Sequence, residues 1–450
     1  MKHVIIGAGP AGVVAAETLR KLDPDSTITL IGDEPEPPYS RMAIPYLLVE
    51  NIDESGTYLR KDSQHYQAKN IQILHERVTR VEPGTRNLTL QNGSTLAYDR
   101  LLICTGSTPI RPPIPGMDLE GVHNCWTLED ARRIAQSAKP GAKVILIGAG
   151  FIGCIILEAL AGRGVDLTVV EMGDRMVPRM MDETAGGLIK RWCEGKGIKV
   201  HTATKVDQVA SAQTASTGSG TGGGLKKLFS ALTGSAKPAA SEQQGGHRFK
   251  VTLSNGQVLD ADLVISAAGV KPNTQLLEGS GVDIDNGILV NHYLQTNIPE
   301  IYAAGDVARG RDFSTGEFEV HAIQPTATEH GRIAAQNMAG VETRYDGSFN
   351  MNVLDTLGLI SSSFGLWMGT EGGDSAQLLD AENYRYLNLQ FQDDILVGAT
   401  SLGLTQHVGV LRGLIQGKVR LGSWKEKLME DPSRIMDAYL AMNYTAQHAA

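Results

Sequence analysis

Two glycine-rich turns carry the residues whose types and spacing point most directly to chemistry. Residues 7–12 read GAGPAG and residues 148–153 read GAGFIG, and each turn follows a short apolar run and precedes a segment with helical periodicity. In that context the first glycine makes the turn, the second lets backbone N–H groups approach a pyrophosphate, and the third lets the helix pack against the strand. Two copies at a domain-sized separation predict two dinucleotide sites.

Acidic residues follow both glycine turns, where a ribose would be bound. Glu171 lies 18 residues beyond Gly153, and a carboxylate there accepts hydrogen bonds from a ribose 2′-hydroxyl and repels a 2′-phosphate. We therefore expect NADH rather than NADPH in the second copy. In the first copy the aligned residue is Gly32, followed by Asp33 and Glu34. One of these acids could contact a ribose, and a solvated turn acid is an equally good interpretation of Asp33.

The elements that must position these turns also occur twice. Residues 87–106 read NLTLQNGSTLAYDRLLICTG and residues 250–269 read KVTLSNGQVLDADLVISAAG. Each segment predicts an alternating strand, an Asn-Gly turn and a buried strand that ends in glycine. The sequence therefore predicts an α/β protein with two Rossmann-like, three-layer dinucleotide-binding domains.

The second copy contains an insert. Residues 211–246 are rich in Ser, Thr, Gly and Ala, which predicts a flexible segment. Within it, residues 224–234 place apolar side chains on one face of a short helix, which suggests a docking helix for a partner or an anionic membrane surface. The alternative is that this helix packs on its own molecule or frays, and we favour it because short isolated helices are marginal.

Residues 341–450 contain no phosphate turn and predict a separate α+β domain. Residues 384–391 and 395–402 indicate a β-hairpin, and residues 407–418 and 424–440 indicate two helices.

Composition excludes several classes of function. The 450 residues include 41 Lys and Arg against 50 Asp and Glu, a net charge of −9, so a nucleic-acid partner is not expected. The four cysteines lack the paired spacing of zinc, iron–sulfur or dithiol sites, so we expect buried free thiols and no metal. The chain start does not resemble a secretory signal, and the longest apolar run, residues 144–157, is too short and interrupted for a membrane span. We therefore expect a cytoplasmic protein.

Residues 301–307, IYAAGDV, complete a set of motifs that resembles a known family. With both glycine turns and the Thr105-Gly106 strand end, the Gly305-Asp306 strand end resembles the second flavin motif of the pyridine nucleotide–disulfide oxidoreductase superfamily. The resemblance covers about residues 1–340. It implies an FAD-binding domain over 1–118 and 285–340, an NAD-binding domain over 119–284, and a C-terminal interface or cap domain over 341–450.

The resemblance also implies which residues contact the cofactors. In the first copy and its returning strand they are Gly7, Gly9, Pro10, Ala11, Gly12, Asp33, Glu34, Arg41, Val78, Thr105, Gly106, Gly305 and Asp306. In the second copy they are Gly148, Gly150, Phe151, Ile152, Gly153, Glu171 and Gly269.

The segment that begins at His321 leads into a helix that, in the resembled family, points its N-terminus at the flavin. Its positive dipole would stabilise the charge of reduced flavin, so Gln324 and Thr326 are candidate flavin contacts. His321 is a candidate proton donor, although a lone histidine before a helix is more often structural. Glu158 is a further catalytic candidate, because it lies one turn after Ile155, where the family usually has a glutamate near the nicotinamide.

The residues beside the flavin decide the reaction class. In disulfide and coenzyme A disulfide reductases a redox cysteine precedes a Pro-Tyr pair, and here Met42 stands at that position before Pro45-Tyr46. A thioether forms neither a thiolate nor a mixed disulfide, which excludes disulfide reduction by that route. The stretch looks instead like the flavoprotein half of NADH-dependent nitrite reductases and, more loosely, like rubredoxin and ferredoxin reductases. Trp126 also departs from the pattern of such reductases, which often have arginine at this position. We therefore expect the contact with the cofactor diphosphate to be made by another residue.

These features predict an FAD-dependent NADH oxidoreductase that passes electrons to an external protein or small-molecule acceptor without a cysteine relay. The family's C-terminal domain leads us to expect a homodimer. One alternative is an FAD-binding subunit or scaffold that docks a partner complex with little NADH turnover, an idea motivated by Ile155, the insert helix and the missing cysteine. Another is an NADH oxidase, which we disfavour because its usual cysteine is also missing.

Overall fold

A computed structural model describes residues 1–212 and 248–448 of the chain. The helix predicted over 224–234 lies outside the described residues. Residues 1–118 form β1 (Lys2–Ile6), α1 (Pro10–Leu22), β2 (Thr27–Gly32), α2 (Ile44–Leu48), α3 (Glu54–Thr57), α4 (His65–Ala68), β3 (Ile71–His75), β4 (Val78–Glu82), β5 (Asn87–Leu90), β6 (Thr95–Ala97), β7 (Arg100–Ile103) and β8 (Ser107–Pro109).

The next two stretches complete the dinucleotide-binding part of the chain. Residues 119–284 form β9 (Val122–Asn124), α5 (Leu128–Ser137), β10 (Lys143–Ile147), α6 (Phe151–Gly162), β11 (Asp166–Val170), α7 (Glu183–Gly195), β12 (Lys199–His201), β13 (Val206–Ser211), β14 (Phe249–Leu253), β15 (Val258–Ala261), β16 (Leu263–Ser266) and β17 (Val270–Pro272). Residues 285–340 form β18 (Ile288–Leu289), β19 (Ile301–Ala303), β20 (Ala308–Arg311), β21 (Phe318–Glu319) and α8 (Gln324–Met338).

The last stretch forms a third unit. Residues 341–448 form β22 (Met351–Thr356), β23 (Leu359–Gly365), β24 (Asp374–Asp380), β25 (Arg385–Gln392), β26 (Ile395–Leu402), α9 (Val408–Gln416), α10 (Trp424–Glu430) and α11 (Ile435–His448).

The first main sheet is parallel, with strand order β19-β7-β1-β2-β3. Its central strand is buried along Val4, Ile5 and Ile6, the continuous apolar run that a parallel sheet covered on both faces requires. The returning strand β19 pairs with β7, so a segment that follows the second copy in the chain completes the first sheet.

The second main sheet repeats this design, with parallel strands in the order β12-β11-β10-β16-β9. Each main sheet is accompanied by a three-stranded antiparallel sheet, β4-β5-β6 in the first copy and β13-β14-β15 in the second. Gly93 and Gly256 take positive φ in the corresponding hairpins. The predicted internal repeat and the α/β fold class are confirmed.

Helix α8 packs against α1 at close range. A Cβ on Gly331 would lie 2.2 Å from the Ala11 carbonyl oxygen, so this crossing requires glycine. Because α1 begins at the first glycine turn, the crossing brings the N-termini of α1 and α8 to the same end of the first sheet.

Strands β8 and β17 pair antiparallel and join the two dinucleotide folds. Asn273 follows β17 and reinforces this junction: its Nδ2 donates to the Thr105 carbonyl (2.9 Å), and its Oδ1 accepts from the Thr108 hydroxyl (2.7 Å). The Thr105 hydroxyl donates in turn to the Asn273 carbonyl (2.8 Å). The two folds are thus connected at the cavity by hydrogen bonds as well as by the chain.

The third unit is a five-stranded antiparallel sheet, β22-β23-β26-β25-β24, with helices on one face. Strands β25 and β26 confirm the predicted hairpin. The single helix predicted over 424–440 is wrong: α10 ends at Glu430, and α11 begins after Pro432, which lacks the N–H that a continuous helix needs.

The third unit packs on the second dinucleotide fold. Leu354, Tyr386 and Leu402 of its sheet belong to the same apolar cluster as the buried face of α6. The Tyr386 hydroxyl also donates to Asp182 Oδ2 (2.7 Å), and Asp182 caps the N-terminus of α7.

Within the two described ranges, no helix has the length and apolar character needed to cross a lipid bilayer.

Candidate functional site

A cavity of about 900 Å³ opens at the carboxyl end of the first sheet and reaches the start of α6 in the second fold. Its walls bring together most of the residues singled out from the sequence. These are Gly7, Gly9, Pro10, Ala11, Asp33, Glu34, Arg41, Val78, Thr105, Gly106, Phe151, Ile152, Gly305, Asp306 and Gln324. Carboxyl ends of parallel strands are where open α/β sheets bind ligands.

The first glycine turn has the geometry that its spacing predicts. Gly7 has φ +115°, and a Cβ there would lie 2.0 Å from the Cys104 carbonyl oxygen. A Cβ on Gly12 would lie 2.0 Å from the Gly7 carbonyl oxygen, so this glycine serves helix packing and does not line the cavity. Around Gly9, the N-cap of α1, no described atom beyond its own backbone and its chain neighbours lies within 4 Å of the Cβ position. Gly9 is therefore the point at which a ligand can approach the backbone.

The second glycine turn repeats this arrangement. A Cβ on Gly148 would lie 2.6 Å from the Ala267 carbonyl oxygen, and one on Gly153 would lie 2.1 Å from the Gly148 carbonyl oxygen. Gly150, the N-cap of α6, again has no described atom within 4 Å of its Cβ position. Gly148, Gly150, Gly153 and Gly269 do not line the large cavity, although Phe151 and Ile152 at the start of α6 do.

Glu171 supports the second turn directly. One carboxylate oxygen accepts from the Ala149 N–H and the other from the Gly173 N–H, both at 2.6 Å. The side chain is buried at the end of β11, outside the large cavity. Its negative charge is therefore fixed beside the phosphate turn of the second copy.

A cluster centred on Arg41 lines the cavity near the end of β2. Its guanidinium donates to Glu34 Oε1 (2.7 Å) and to the Trp126 carbonyl (2.8 Å). The guanidinium also lies 5.7 Å from the ring centre of Tyr39 and 5.4 Å from that of Trp126. The Tyr39 hydroxyl donates to Glu34 Oε2 (2.5 Å), which fixes the carboxylate. Arg41 thus offers a positive charge to the cavity beside Trp126, where the resembled reductases have their arginine.

The two acids that follow β2 differ in their surroundings. Glu34 is held in the arginine cluster, whereas Asp33 is more exposed and accepts from Arg77 at 2.7 Å. Both line the cavity, so the choice between them as a ribose contact stays a prediction.

Asp306 places a partly buried carboxylate at the cavity wall, in the short turn Gly305–Val307 after β19. Burial raises the pKa of this carboxyl, while a hydrogen bond from the Ser107 hydroxyl (3.0 Å) and the charge of Arg41 oppose the rise. Ser107 is its only side-chain donor among the described residues, so the carboxylate has capacity left for a ligand hydroxyl.

Helix α8 begins at the cavity, as predicted. The Gln324 side chain lines the cavity, and its Oε1 accepts from the Ser40 hydroxyl (2.7 Å). Thr326 is buried in the first turn of the helix and does not line the cavity. Its assignment as a flavin contact stays a prediction.

The two catalytic candidates His321 and Glu158 lie outside the cavity wall. His321 Nε2 is 2.9 Å from Asp312 Oδ2, and both side chains are largely buried. Glu158 is partly buried on the face of α6 near the third unit, where burial and the charge of Asp355 raise the pKa of its carboxyl. These surroundings favour structural roles for both residues.

The four cysteines, Cys104, Cys125, Cys154 and Cys193, are all free and buried. Burial raises the pKa of each thiol, to about 12 for Cys125 and Cys193. The expectation of buried free thiols is confirmed. Met42 also lines the cavity, and it is 45% exposed, so a thioether lies at the mouth.

An apolar wall completes the cavity on the side of the second fold. Phe151, Ile152, Ile155 and Ile156 of α6 contribute it. Ile155 faces the cavity where the family usually has glutamate, so this wall lacks the carboxylate expected near a nicotinamide.

Several residues of the site carry no recognisable sequence signal. The Tyr39 ring contacts Arg41, the Ser107 hydroxyl donates to Asp306, and the Asn273 amide donates to the Thr105 carbonyl. Ser107 and Asp306 lie 199 residues apart in the chain, and Asn273 and Thr105 lie 168 apart. Such contacts depend on the tertiary fold and have no local pattern.

The residues of the cavity fit FAD. Glycine N-caps leave helix N–H groups open to a pyrophosphate, Arg41 adds positive charge, and the Asp306 carboxylate can accept from a polyol hydroxyl. The volume lies within the range of small-molecule and cofactor sites. Among the described residues, no group of three or more His, Cys, Asp or Glu side chains is placed to hold a metal ion.

Two Rossmann-like folds that open on a shared cavity define a class of two-dinucleotide oxidoreductases. Comparison with protein families is consistent with this class. The family model described as pyridine nucleotide-disulphide oxidoreductase matches residues 1–331, and the chain belongs to this family. The protein is an oxidoreductase that uses FAD and a pyridine nucleotide.

Three curated relatives illustrate the range of the family. A protein named NADH oxidase from Methanocaldococcus jannaschii is 32% identical over 77% of this chain and 71% of its own length. The NADH-dependent phenylglyoxylate dehydrogenase subunit epsilon of Aromatoleum evansii is 29% identical over 96% of this chain and 95% of its own length. The 3-phenylpropionate/cinnamic acid dioxygenase ferredoxin–NAD(+) reductase component of Photorhabdus laumondii is 26% identical over 94% of this chain and 98% of its own length.

Proposed function

We propose that the protein takes electrons from NADH through FAD and passes them to an external carrier protein, without a thiol relay. The observation that carries this proposal is the thioether of Met42 at the mouth of the cavity, together with four buried thiols of raised pKa. A thiol relay needs an accessible thiolate near the flavin. Cys104 and Cys125 line the cavity, but both thiols are buried and burial raises their pKa, so neither offers such a thiolate. Electrons must therefore leave directly from the flavin.

The residues of the cavity have distinct proposed tasks. The α1 N-terminus at Gly9 and the Arg41 guanidinium hold the diphosphate of FAD, and Asp306 accepts from its ribityl chain. FAD, when bound, supplies hydride acceptance and the delivery of electrons to a second acceptor. Gln324, held by Ser40, and the N-terminal dipole of α8 favour negative charge at that end of the cavity.

The second glycine turn is the proposed NADH site. The α6 N-terminus at Gly150 binds the diphosphate, and Glu171 selects the 2′-hydroxyl of NADH over the 2′-phosphate of NADPH. The apolar wall at Phe151 and Ile155 excludes water from the region between the two cofactors. Exclusion of water protects a hydride donor from side reactions. Apolar side chains can exclude water, so this task does not require a carboxylate at the position of Ile155.

The domains follow from this assignment. We propose an FAD domain over 1–118 and 285–340, an NAD domain over 119–284 and an interface or cap domain over 341–450. The homodimer, the cytoplasmic location and the docking helix over 224–234 stay predictions.

A carrier protein is the acceptor that we favour, because the relatives of nearly full-length coverage are named as a ferredoxin reductase component and as a subunit of a dehydrogenase. The subunit role is a second candidate, in which the same electron transfer occurs inside a permanent complex. The relative named NADH oxidase keeps dioxygen as a third candidate acceptor.

Anaerobic and aerobic turnover distinguish these acceptors. FAD-loaded protein is supplied with NADH and, in separate reactions, with a [2Fe–2S] ferredoxin, a low-molecular-weight disulfide or dioxygen. We expect fast ferredoxin reduction, slow dioxygen reduction and no disulfide reduction above background. Rapid disulfide reduction would overturn the proposal, and dioxygen turnover faster than ferredoxin reduction would favour the oxidase.

A further inference from the structure

A buried imidazole lies directly behind the Gly305–Val307 turn. His330 is on the inner face of α8 and is 1% exposed. Its Nδ1 is 3.4 Å from the Gly305 backbone nitrogen, and its Nε2 is 3.2 Å from the Ser348 hydroxyl oxygen. Its ring packs edge-on against Tyr345, with the ring centres 4.9 Å apart, and the Tyr345 hydroxyl donates to the same Ser348 oxygen. His330 thus connects α8, the Gly305 turn and the segment that enters the third unit.

The protonation state of His330 follows from its partners. A backbone N–H only donates, so Nδ1 must present its lone pair to Gly305 and the proton must be on Nε2, which donates to Ser348. Burial lowers the pKa of His330 to about 3, and the charge of nearby His321 acts in the same direction. The imidazole is therefore neutral over the physiological range and acts as a fixed hydrogen-bond acceptor for the turn.

Gly305 needs such a partner because of its conformation and position. It has φ +75°, and a Cβ there would lie 3.4 Å from the Ala11 Cβ of α1 and 3.5 Å from the Ala327 Cβ of α8. Its carbonyl group leads directly to Asp306, whose carboxylate faces the cavity. A change in the orientation of the Gly305 peptide would therefore move the Asp306 carboxylate relative to any bound ligand.

We infer that His330 is a positioning residue for FAD, which holds the Gly305 N–H so that the Asp306 carboxylate meets the ribityl hydroxyls. This inference rests on the proposed assignment of Asp306 to FAD. His330 does not line the cavity, so it acts on FAD only through the orientation of the turn.

Three substitutions separate the hydrogen bond from the packing of the ring. In His330→Asn the side-chain oxygen can take the place of Nδ1 and still accept from Gly305. In His330→Gln the amide reaches toward Ser348 and leaves Gly305 without an acceptor, and His330→Leu fills the space with no polar atom. The matched control is His3→Leu, because His3 is also fully buried, pairs with Asp23 at 3.0 Å and lies at the opposite end of β1 from the cavity.

The test measures the dissociation constant of FAD by ultrafiltration of diluted FAD-loaded protein, with thermal unfolding of each variant alongside. We expect a roughly tenfold higher constant for His330→Leu and His330→Gln, because a displaced Asp306 carboxylate loses about one hydrogen bond to the ligand, and less than threefold for His330→Asn. His3→Leu should unfold at lower temperature and keep the wild-type constant.

Three results would overturn the inference. They are a wild-type constant in both His330→Leu and His330→Gln, an equal loss in His330→Asn and His330→Gln, or an equal loss in His3→Leu. If His330→Leu does not fold, the comparison of the Asn and Gln variants still decides. Failure of wild-type protein to retain FAD would instead contradict the proposed function, so the two failures are distinguishable.

Discussion

Alanine at Gly9 or at Gly150 should remove one cofactor and spare the other. Both glycines are helix N-caps with φ of −81° and −73°, which alanine can adopt, and no described atom beyond the adjoining backbone and chain neighbours lies within 4 Å of either Cβ position. The added methyl group therefore meets the ligand and not the protein. Gly9→Ala should weaken FAD binding, and Gly150→Ala should weaken NADH binding while FAD is retained.

The magnitude follows from the contacts at the two turns. A methyl group between the turn and the pyrophosphate removes at least one hydrogen bond from a backbone N–H to a charged oxygen, which contributes about 1.5–3 kcal/mol. That loss corresponds to a dissociation constant higher by about 10- to 150-fold. The fold should lose little, because the poorer N-cap costs up to about 1 kcal/mol. The smaller entropy of the unfolded chain offsets this by about 0.4–1 kcal/mol.

The assay combines FAD retention on ultrafiltration, the NADH dependence of flavin bleaching and thermal unfolding. Gly12→Ala is the control for packing, because its Cβ would lie 2.0 Å from the Gly7 carbonyl oxygen and must destabilise the fold whether or not FAD is present. The reasoning is refuted if Gly9→Ala keeps wild-type FAD affinity, or if Gly150→Ala loses FAD and keeps its NADH dependence.

Three further substitutions test particular side chains. Glu171→Gln should raise the KM for NADH about tenfold and reduce the preference for NADH over NADPH. The variant loses one charge-assisted hydrogen bond to the turn and the repulsion of a 2′-phosphate. Equal kinetics with NADH and NADPH, in the wild-type protein and in the variant alike, would contradict this prediction. His321→Asn should lower the unfolding temperature, because the pair with Asp312 is lost. The rate of flavin reduction should stay within about twofold of the wild-type rate, because a residue outside the cavity does not transfer the proton. A large fall in that rate would instead identify His321 as the proton donor. Glu158→Gln should raise the unfolding temperature at pH 8 but not at pH 4. Burial and Asp355 raise the pKa of Glu158, so the folded state binds the proton more tightly and loses stability as the pH rises through that pKa. A difference in unfolding temperature between variant and wild type that does not depend on pH would refute this.

The sequence predicts the parts of this molecule that depend on local pattern. Both glycine turns, the strands that precede them and the buried strands β7 and β16 follow from short-range features, because apolar runs and glycine spacing determine them locally. The hairpin formed by β25 and β26 also follows from a local sequence pattern. The helix predicted over 424–440 is interrupted at Pro432, and proline is a local signal as well.

The remaining parts of the site depend on contacts between distant segments. The position of Arg41 between Tyr39 and Trp126 and the acceptor role of His330 exist only after the two folds and α8 have packed together. Glu158 illustrates the opposite error: its spacing on α6 suggests a catalytic acid, because residues three positions apart share a helix face. In the folded protein only Ile155 lines the cavity, and Glu158 lies within the electrostatic influence of Asp355.

Electron counting tests the central claim most directly. A flavin without a thiol relay accepts two electrons, whereas a flavin with a redox-active disulfide accepts four. In an anaerobic titration of FAD-loaded protein, complete bleaching of the flavin should therefore require one NADH per FAD and should create no new titratable thiols. Two equivalents of NADH per FAD with new thiols, or an absence of bleaching with both NADH and NADPH, would contradict the account.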